Sequence, residues 1–246
     1  MKTIYRPLLV VIAATILVPS VVQAGEWGIG VGVVRHGPAQ QGADAAITGG
    51  PFPFYEGERL SLGFGAISYA FADVSGMRLA LEGQPRFEGF DPTKSDALVG
   101  MHKRNPAFDI GFSLSSDGVW GQAQLRAVAD ITGTHDGYEV SASYQYPLQS
   151  GRWTLVPSTG LNWRSKKLVD YYYGVREDES RAGRPSYVGR SGLSATVGLA
   201  ADYRLTEHWN VVAGADLTYL GDSIQDSPII EKNHETSLFT ALVYRF

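Results

Sequence analysis

The chain has 246 residues, among them 29 glycines, 13 tyrosines and five tryptophans, and it contains no cysteine. The lack of cysteine excludes disulfides and thiolate metal sites. A formal net charge of −4 argues against nucleic acid as a partner. The many glycines and aromatic residues favour a fold of many strands joined by tight turns.

Residues 1–24 have the three parts of a secretory signal peptide. Lys2 and Arg6 form a basic region, residues 8–18 are an apolar run, and Val22-Gln23-Ala24 is a small-residue cleavage site. The apolar run is shorter than the roughly 20 residues that span a bilayer. We expect cleavage after Ala24. Residues 25–246 then form one domain with 19 basic residues (21 minus Lys2 and Arg6) against 25 acidic ones, a net charge of −6.

Apolar and polar residues alternate along most of this domain. Between Val119 and Ile131, the odd positions are apolar or small, as at Leu125, and most even positions are polar, as at Arg126. Period two is typical of a two-faced strand, since a helix groups its apolar residues at three- and four-residue spacing. We predict ten strands, at residues 26–36, 58–71, 76–87, 107–116, 119–131, 137–147, 152–164, 190–205, 209–220 and 236–246.

The predicted connections differ in length at the two ends of the strands. Tight turns lie near residues 73–75, 116–118, 148–151 and 206–208. Long loops cover residues 37–57, 88–106, 165–189 and 221–235. The remaining connection, at residues 132–136, is short and polar. An even strand number with short periplasmic turns and longer extracellular loops is typical of outer-membrane barrels. The predicted fold is therefore all-β, a transmembrane antiparallel β-barrel with both termini at the short-turn end.

One segment does not fit ten strands. Residues 47–55, ITGGPFPFY, are assigned to the first long loop or to an extension of the second strand, because counting them separately gives an odd number. Twelve strands are possible if this segment and another loop segment pair into the sheet.

Aromatic residues mark which face of the strands is outside. Trp153 and Trp163 share one strand face ten residues apart, and Trp209 and Tyr219 repeat that spacing. Ten steps of about 3.3 Å, tilted by about 40°, rise about 25 Å, which is the height of the lipid-facing band between two aromatic girdles. A soluble barrel alternates too, with its apolar face inward, but these aromatic pairs favour the membrane.

The last strand carries a second indication of the same class. Leu238, Leu242, Tyr244 and Phe246 share a face, and the chain ends on an aromatic residue. Such an end resembles the signal that bacterial barrel-assembly machinery recognises. We place Tyr244 and Phe246 in the girdle with the residues above. Pro157 cannot donate to a sheet ladder, so we expect a bulge or break near it.

The opposite, polar face should line the lumen with side chains of both charges. The predicted lumen residues are Arg78, Glu82, Asp109, Gln122, Gln124, Arg126, Asp130, Glu139, Asn162, Arg164, Asp202, Arg204, Asn210, Asp216 and Arg245. Neither sign forms a one-sided ring of the kind that selects ions. An ionic plug is therefore favoured over a small selective pore.

Two further alternatives concern the long-loop end. His135 and Asp136 could activate water in a barrel-top hydrolase, but no serine elbow or zinc motif accompanies them, so we predict no catalytic residue, metal or cofactor. Residues 165–189 mix both charges and could bind lipopolysaccharide phosphates or form a solvated loop that folds over the mouth. Tyr171 to Tyr173 could instead extend the seventh strand.

Three segments outside the alternation resemble the MipA/OmpV family of outer-membrane proteins. They are Asp91 to Arg104 (DPTKSDALVGMHKR), Tyr171 to Val175 (YYYGV) and Asp226 to Ile229 (DSPI). The resemblance implies a barrel in the outer membrane of a Gram-negative bacterium. It also implies a scaffold joining a lytic transglycosylase to a murein synthase, while other members are associated with adhesion or antibiotic susceptibility.

The predicted function is a non-enzymatic scaffold linked to the murein machinery. The expected partners are outer-membrane lipid and lipopolysaccharide, the barrel-assembly machinery, and periplasmic murein enzymes. A narrow channel or uptake protein is the first alternative, and a barrel-top hydrolase is the second.

Overall fold

The computed structural model describes residues 25–63 and 65–246, so the predicted signal peptide lies outside the described residues. The strands are β1 (Glu26–Gly37), β2 (Ala46–Glu56), β3 (Leu60–Gly63), β4 (Ala66–Val74), β5 (Met77–Arg86), β6 (Ala107–Gly118), β7 (Gly121–Asp130), β8 (Tyr138–Gln145), β9 (Leu148–Ser150), β10 (Trp153–Arg164), β11 (Gly192–Arg204), β12 (Trp209–Tyr219) and β13 (His234–Arg245). Two helices, α1 (Lys166–Tyr173) and α2 (Asp222–Gln225), lie in the long loops. No helix in the described ranges is long and apolar enough to cross a membrane.

The strands form one closed antiparallel barrel. Neighbours in sequence pair with each other, β1 closes the sheet against β13, and β10 pairs with β11. The segments β8 and β9 both pair with β10 in one continuous register, so they are two parts of one wall strand. The wall therefore has twelve strands, and the predicted fold class is confirmed.

The strand count of ten is wrong, and the structure shows where the two missing strands lie. Residues 47–55 belong to β2, which pairs with β1 along its whole length. The predicted strand at 58–71 is two strands, β3 and β4, which reverse at Gly65 with φ of +79°. That left-handed conformation suits glycine and permits a tight turn inside an apolar run. The first loop is accordingly short, at residues 38–45.

The irregularity expected at Pro157 lies in the neighbouring strand. β10 runs without interruption through Pro157, which pairs with Leu199 of β11. On its other side, β8 ends at Gln145 and β9 begins at Leu148, and the amide of Tyr146 donates to the carbonyl of Pro157 over 3.1 Å. The wall tolerates the proline because its partner strand is interrupted there. A separate register shift lies between Ala70 and Ala72 of β4.

The two faces of the wall have the predicted orientation. Leu125 and Val197 point outward, with about half of each residue exposed, at 55% and 49%. Asp109 and Glu139 point inward and are buried, at 1% and 5% exposed. A soluble barrel would show the reverse arrangement, so the exposed apolar belt defines a wall that faces lipid.

Aromatic side chains pair between neighbouring strands near both ends of the wall. At the short-turn end, ring centroids lie 4.6 Å apart for Trp153 and Tyr203 and 4.9 Å apart for Trp209 and Tyr244, and Phe246 lies 5.2 Å from Tyr244. At the long-loop end, Tyr138 and Trp163 are 5.5 Å apart, and Tyr219 is also exposed. We propose that these rings are the two membrane girdles.

Candidate functional site

The lumen contains a buried ionic network near the long-loop end. Glu139 of β8 lies at its centre, with one carboxylate oxygen 3.2 Å from both Arg86 and Arg164 and the other 3.8 Å from Arg126. Arg86 also contacts Asp109 at 2.7 Å. Five strands thus contribute to one cluster in which charges of opposite sign compensate each other.

The network continues into the loop above it through Glu88. This carboxylate contacts Arg86 at 3.1 Å and Arg164 at 2.9 Å. Arg164 also donates to the hydroxyl of Tyr173 over 3.2 Å, which links the lumen to helix α1. The attraction within a buried ion pair offsets the free energy of desolvation only when each charge has close partners of opposite sign. Here each arginine has at least one carboxylate within 4 Å.

The other predicted lumen residues are distributed along the barrel. Glu82 accepts from Ser68 and Ser113, Asn210 donates to Asp202, Gln122 bonds to Gln145, and Gln124, Asn162 and Asp216 line the central cavity. Arg78 lines the cavity near its short-turn end, where it is exposed and contacts Asp73 at 3.3 Å. Two residues lie elsewhere than expected: Arg204 is exposed at the short-turn rim, and Asp130 accepts from the amides of Thr132, His135 and Asp136 in the loop after β7. Arg245 contacts Glu26 and Glu56 near the rim at 3.3 Å.

A cavity of about 1510 Å³ occupies the lumen below and beside this network. Its lining reaches from Asp117 and Glu58 at the short-turn end to Lys94 and Leu98 under the long loops. Phe52 and Phe54 of β2 fill one side, against Ala241 and Val243. The interior is therefore partly filled rather than completely plugged.

The long loops form a compact lid, which we call the loop cap: residues 38–45, 87–106, 165–191 and 220–233. Its core contains Leu168, Val169, Tyr172 and Tyr173 of α1, each at most 1% exposed. The alternative in which Tyr171 to Tyr173 extend the seventh predicted strand is wrong, since these residues belong to α1. Leu168 and Tyr172 are four residues apart, as are Val169 and Tyr173. This spacing places all four side chains on one face of the helix, and that face packs onto the barrel mouth.

A buried arginine–glutamate pair connects two loops of the cap. Arg104 contacts both carboxylate oxygens of Glu179 at 2.8 Å and donates to the carbonyl oxygens of Tyr171 and His102. Glu179 also accepts from the amides of His102 and Arg176. Such a two-pronged pair fixes geometry as well as charge, so it holds residues 87–106 against residues 165–191.

The environment of Glu179 favours its charged form. Burial opposes ionisation, but hydrogen bonds from Arg104 and from the amides of Arg176 and His102 outweigh it and lower the pKa of Glu179 to about 2. A carboxylate whose folded pKa lies below its unfolded value of 4.5 stabilises the folded form above pH 4.5, and that contribution falls as the pH approaches 2.

We therefore expect the loop cap to loosen in acid. Protection of its backbone amides from hydrogen exchange should be constant from pH 7 to about pH 5 after correction for the intrinsic rate, then decrease toward pH 2. Amides of the strand ladder serve as the internal control. Cap protection that is unchanged at pH 2 relative to the ladder would contradict this role for Glu179.

The possible hydrolytic pair at His135 and Asp136 is not formed. Nε2 of His135 lies 3.3 Å from Asp109 and its Nδ1 accepts from the amide of Gly137, so both ring nitrogens are engaged, while Asp136 is exposed. Potential metal-ligand atoms of Asp109, Asp130 and His135 lie within 4.8 Å of one another. However, Asp109 contacts Arg86, and Asp130 is held by loop amides, so this cluster is structural.

Sequence reasoning missed the residues that build the cap. Arg104 and Glu179 are 75 positions apart, and no local pattern connects them. Arg86 was also missed, although it lies at an even-numbered position of β5 and therefore on the same strand face as Arg78 and Glu82. The four-residue spacing of apolar and aromatic residues in α1 was the one local pattern from which the helix could have been predicted.

The fold and interior define a class of protein: an outer-membrane β-barrel of twelve strands with an ionic lumen and a closed loop cap. Residues 28–246 match the family model described as MltA-interacting protein MipA, and the chain belongs to this family. The resemblance predicted from the loop motifs is confirmed, as is a location in the outer membrane.

Related outer-membrane proteins match most of the chain. It is 28% identical to the putative outer membrane protein YiaT of Escherichia coli K12, over 91% of this chain and 92% of the relative. It is 25% identical to outer membrane protein OmpV of Vibrio cholerae, over 90% and 87%, and to the MltA-interacting protein of E. coli K12, over 89% of each.

Among solved structures, an outer-membrane channel from Pseudomonas putida F1 is similar in fold. It has a TM-score of 0.50 and 11% identity, and the match covers 92% of this chain and 97% of the channel. At this identity the similarity establishes the barrel architecture alone.

Proposed function

We propose that this protein is a non-enzymatic scaffold that holds murein enzymes, a lytic transglycosylase and a murein synthase, beside the outer membrane. The observation that carries the proposal is the difference between the two ends of the barrel. The loop cap closes the extracellular end with buried side chains, whereas the short turns at the other end expose apolar ones. The printed name of the E. coli relative, MltA-interacting protein, supports the same class of partner.

The apolar turn residues form the proposed docking rim. Val119 and Trp120 lie at the β6–β7 turn, where Val119 is 97% exposed, and Val74 and Leu148 are exposed at the two adjacent turns. Exposed aromatic and aliphatic residues clustered at one edge are typical of protein-binding surfaces. At the periplasmic end of the barrel, such a surface faces the compartment that contains murein enzymes.

A binding measurement tests the rim directly. Purified barrel in lipid nanodiscs should bind a murein lytic transglycosylase, and Val119→Asp with Trp120→Ala should weaken binding at least about tenfold, because hot-spot residues contribute 2 kcal/mol or more.

The matched control is Val188→Asp, which changes an exposed apolar residue of the loop cap at the opposite end. It should leave binding unchanged. No binding by the unaltered barrel, or equal weakening by both variants, would overturn the scaffold proposal.

A second candidate function, uptake of small molecules, is favoured by the cavity of about 1510 Å³. If this cavity conducts, planar bilayers should show discrete current steps. If the loop cap seals the barrel mouth, no current steps should be seen.

We also propose roles for the outer surface. The exposed ring of Phe246 at the end of β13 is the site that the barrel-assembly machinery would recognise. The aromatic girdles contact membrane lipid and the base of lipopolysaccharide.

A further inference from the structure

The barrel wall is incomplete beside β2. Strand β3 has four residues, and in the part of the chain that the structure describes it pairs with β2 through Tyr55 and Glu56 alone. The edge of β2 that faces away from β1 has no strand partner at Ile47, Gly49 and Pro51 among the described residues, although its other edge pairs fully with β1. Beyond the short β3–β4 hairpin, the next strand along the wall is β5.

The sequence of β2 is adapted to this free edge. Pro51 pairs with Val31 and Pro53 with Ile29, and because proline has no amide hydrogen, these are non-hydrogen-bonded pairs. The backbone of both prolines therefore points to the free edge, where two of the donors that would recruit another strand are missing. Proline on an edge strand prevents pairing in this way.

The free edge lies at membrane depth. Trp27 and Tyr55 pair at 4.8 Å near the short-turn end, and beyond them Ile29, Val31 and Val33 of β1 expose apolar side chains. Unpaired backbone groups are not tolerated in direct contact with hydrocarbon, but they are tolerated where they line a water-filled cavity. The free edge must therefore border the lumen.

The central cavity reaches this edge. It is lined by Ile47 of β2 and Pro85 of β5, which have outward-facing positions on the two sides of the gap, as well as by Glu82 and Ser68 inside the barrel. At the top, a hydrogen bond of 2.9 Å from Ser95 to the carbonyl of Gln41 joins the two loops above the gap. The gap is thus a window, closed above by the loop cap and below by the pairing of β2 with β3.

We propose that this window is a lateral entry for single-chain amphiphiles from the outer leaflet. The apolar outer border, Ile47, Pro51, Pro53 and Pro85, suits an acyl chain. The inner wall, with Glu82 between the hydroxyls of Ser68 and Ser113, suits a polar head that donates hydrogen bonds. The loop cap blocks the direct route from outside, so a ligand of this chemistry reaches the lumen through the wall. This inference is independent of the scaffold role.

Fluorescence quenching tests the window, and the lack of native cysteine makes each introduced thiol unique. Ser61→Cys or Ser68→Cys places a bimane label in the lumen at the window; Ser141→Cys or Ser143→Cys places it in the lumen behind paired strands of the opposite wall. Each labelled protein is reconstituted in phosphatidylcholine vesicles that contain a few mole per cent of monoacylglycerol with a nitroxide on its acyl chain. Heat-modifiable gel mobility confirms folding.

We expect the window labels to be quenched at least threefold more strongly than the control labels. The same nitroxide on phosphatidylcholine, which has two chains and no donor in its head, should quench the window labels less than monoacylglycerol does. Equal quenching at window and control positions would overturn the lateral entry. Equal quenching by both lipids would overturn the preference for single-chain donors.

Discussion

A Glu179→Gln variant should lose the closed form of the loop cap while its barrel wall remains folded. Glutamine keeps the shape of the side chain but leaves the guanidinium of Arg104, which is 2% exposed, without its charge partner. Removing one member of a buried ion pair costs about 3–5 kcal/mol. For the protein in lipid nanodiscs, trypsin should cut within the cap faster by a factor on the order of 100 or more, since cleavage follows the population of the open form. Current steps absent from the parent protein should also appear in planar bilayers.

Glu177→Gln is the matched control for this experiment. Glu177 lies in the same short helical turn but is exposed, so its substitution should change neither cleavage nor conductance. If Glu179→Gln and Glu177→Gln are cut at the same rate, the Arg104–Glu179 pair does not hold the cap closed.

Replacing Glu139 by glutamine should destabilise the barrel itself. Glu139 lies within 4 Å of Arg86, Arg126 and Arg164, and its loss leaves these positive charges close together in the lumen. The expected cost is again about 3–5 kcal/mol. For a protein of this size, the temperature at which the folded band disappears in heat-modifiability gels should decrease by on the order of 10 °C.

The control is Asp117→Asn, an exposed carboxylate near the β6–β7 turn. It should leave the transition temperature unchanged. A Glu139→Gln protein with the transition temperature of the parent would show that the lumen network contributes no net stability, as is known for some buried ion pairs that replace apolar packing.

The two networks are connected, and this connection bears on function. Arg164 contacts Glu139 in the lumen and donates to Tyr173 in the cap, while Glu88 contacts both Arg86 and Arg164 from the cap side. The cap is therefore fixed on the barrel mouth by ionic contacts as well as by the apolar face of α1. If the proposals above hold, the short-turn rim and the window beside β2 are the two surfaces through which partners or ligands reach the barrel.

The faces of the wall could be predicted from sequence because a strand has a period of two. Leu125 and Arg126 must lie on opposite faces whatever the rest of the chain does, and tryptophans ten residues apart must share one. The class of protein, its compartment and the inward direction of the charges follow from this local geometry.

Strand number and the gap in the wall depend on pairing, which is not local. The segment containing Pro51 and Pro53 has too few alternating polar residues to identify it as a strand, and it forms one because β1 supplies every hydrogen bond on one edge. The reversal at Gly65 lies within an apolar run that reads as one strand.

The amino-acid sequence by itself determined the barrel, the outward direction of its apolar face, its location in the outer membrane and its family. Only the tertiary structure decided that Arg104 meets Glu179, that His135 meets Asp109 rather than Asp136, and that α1 covers the mouth. The physical reason is the distance in sequence between the contacting residues. Strand alternation is set by bonds between adjacent residues, whereas the cap and the lumen network arise where distant segments meet once the barrel closes.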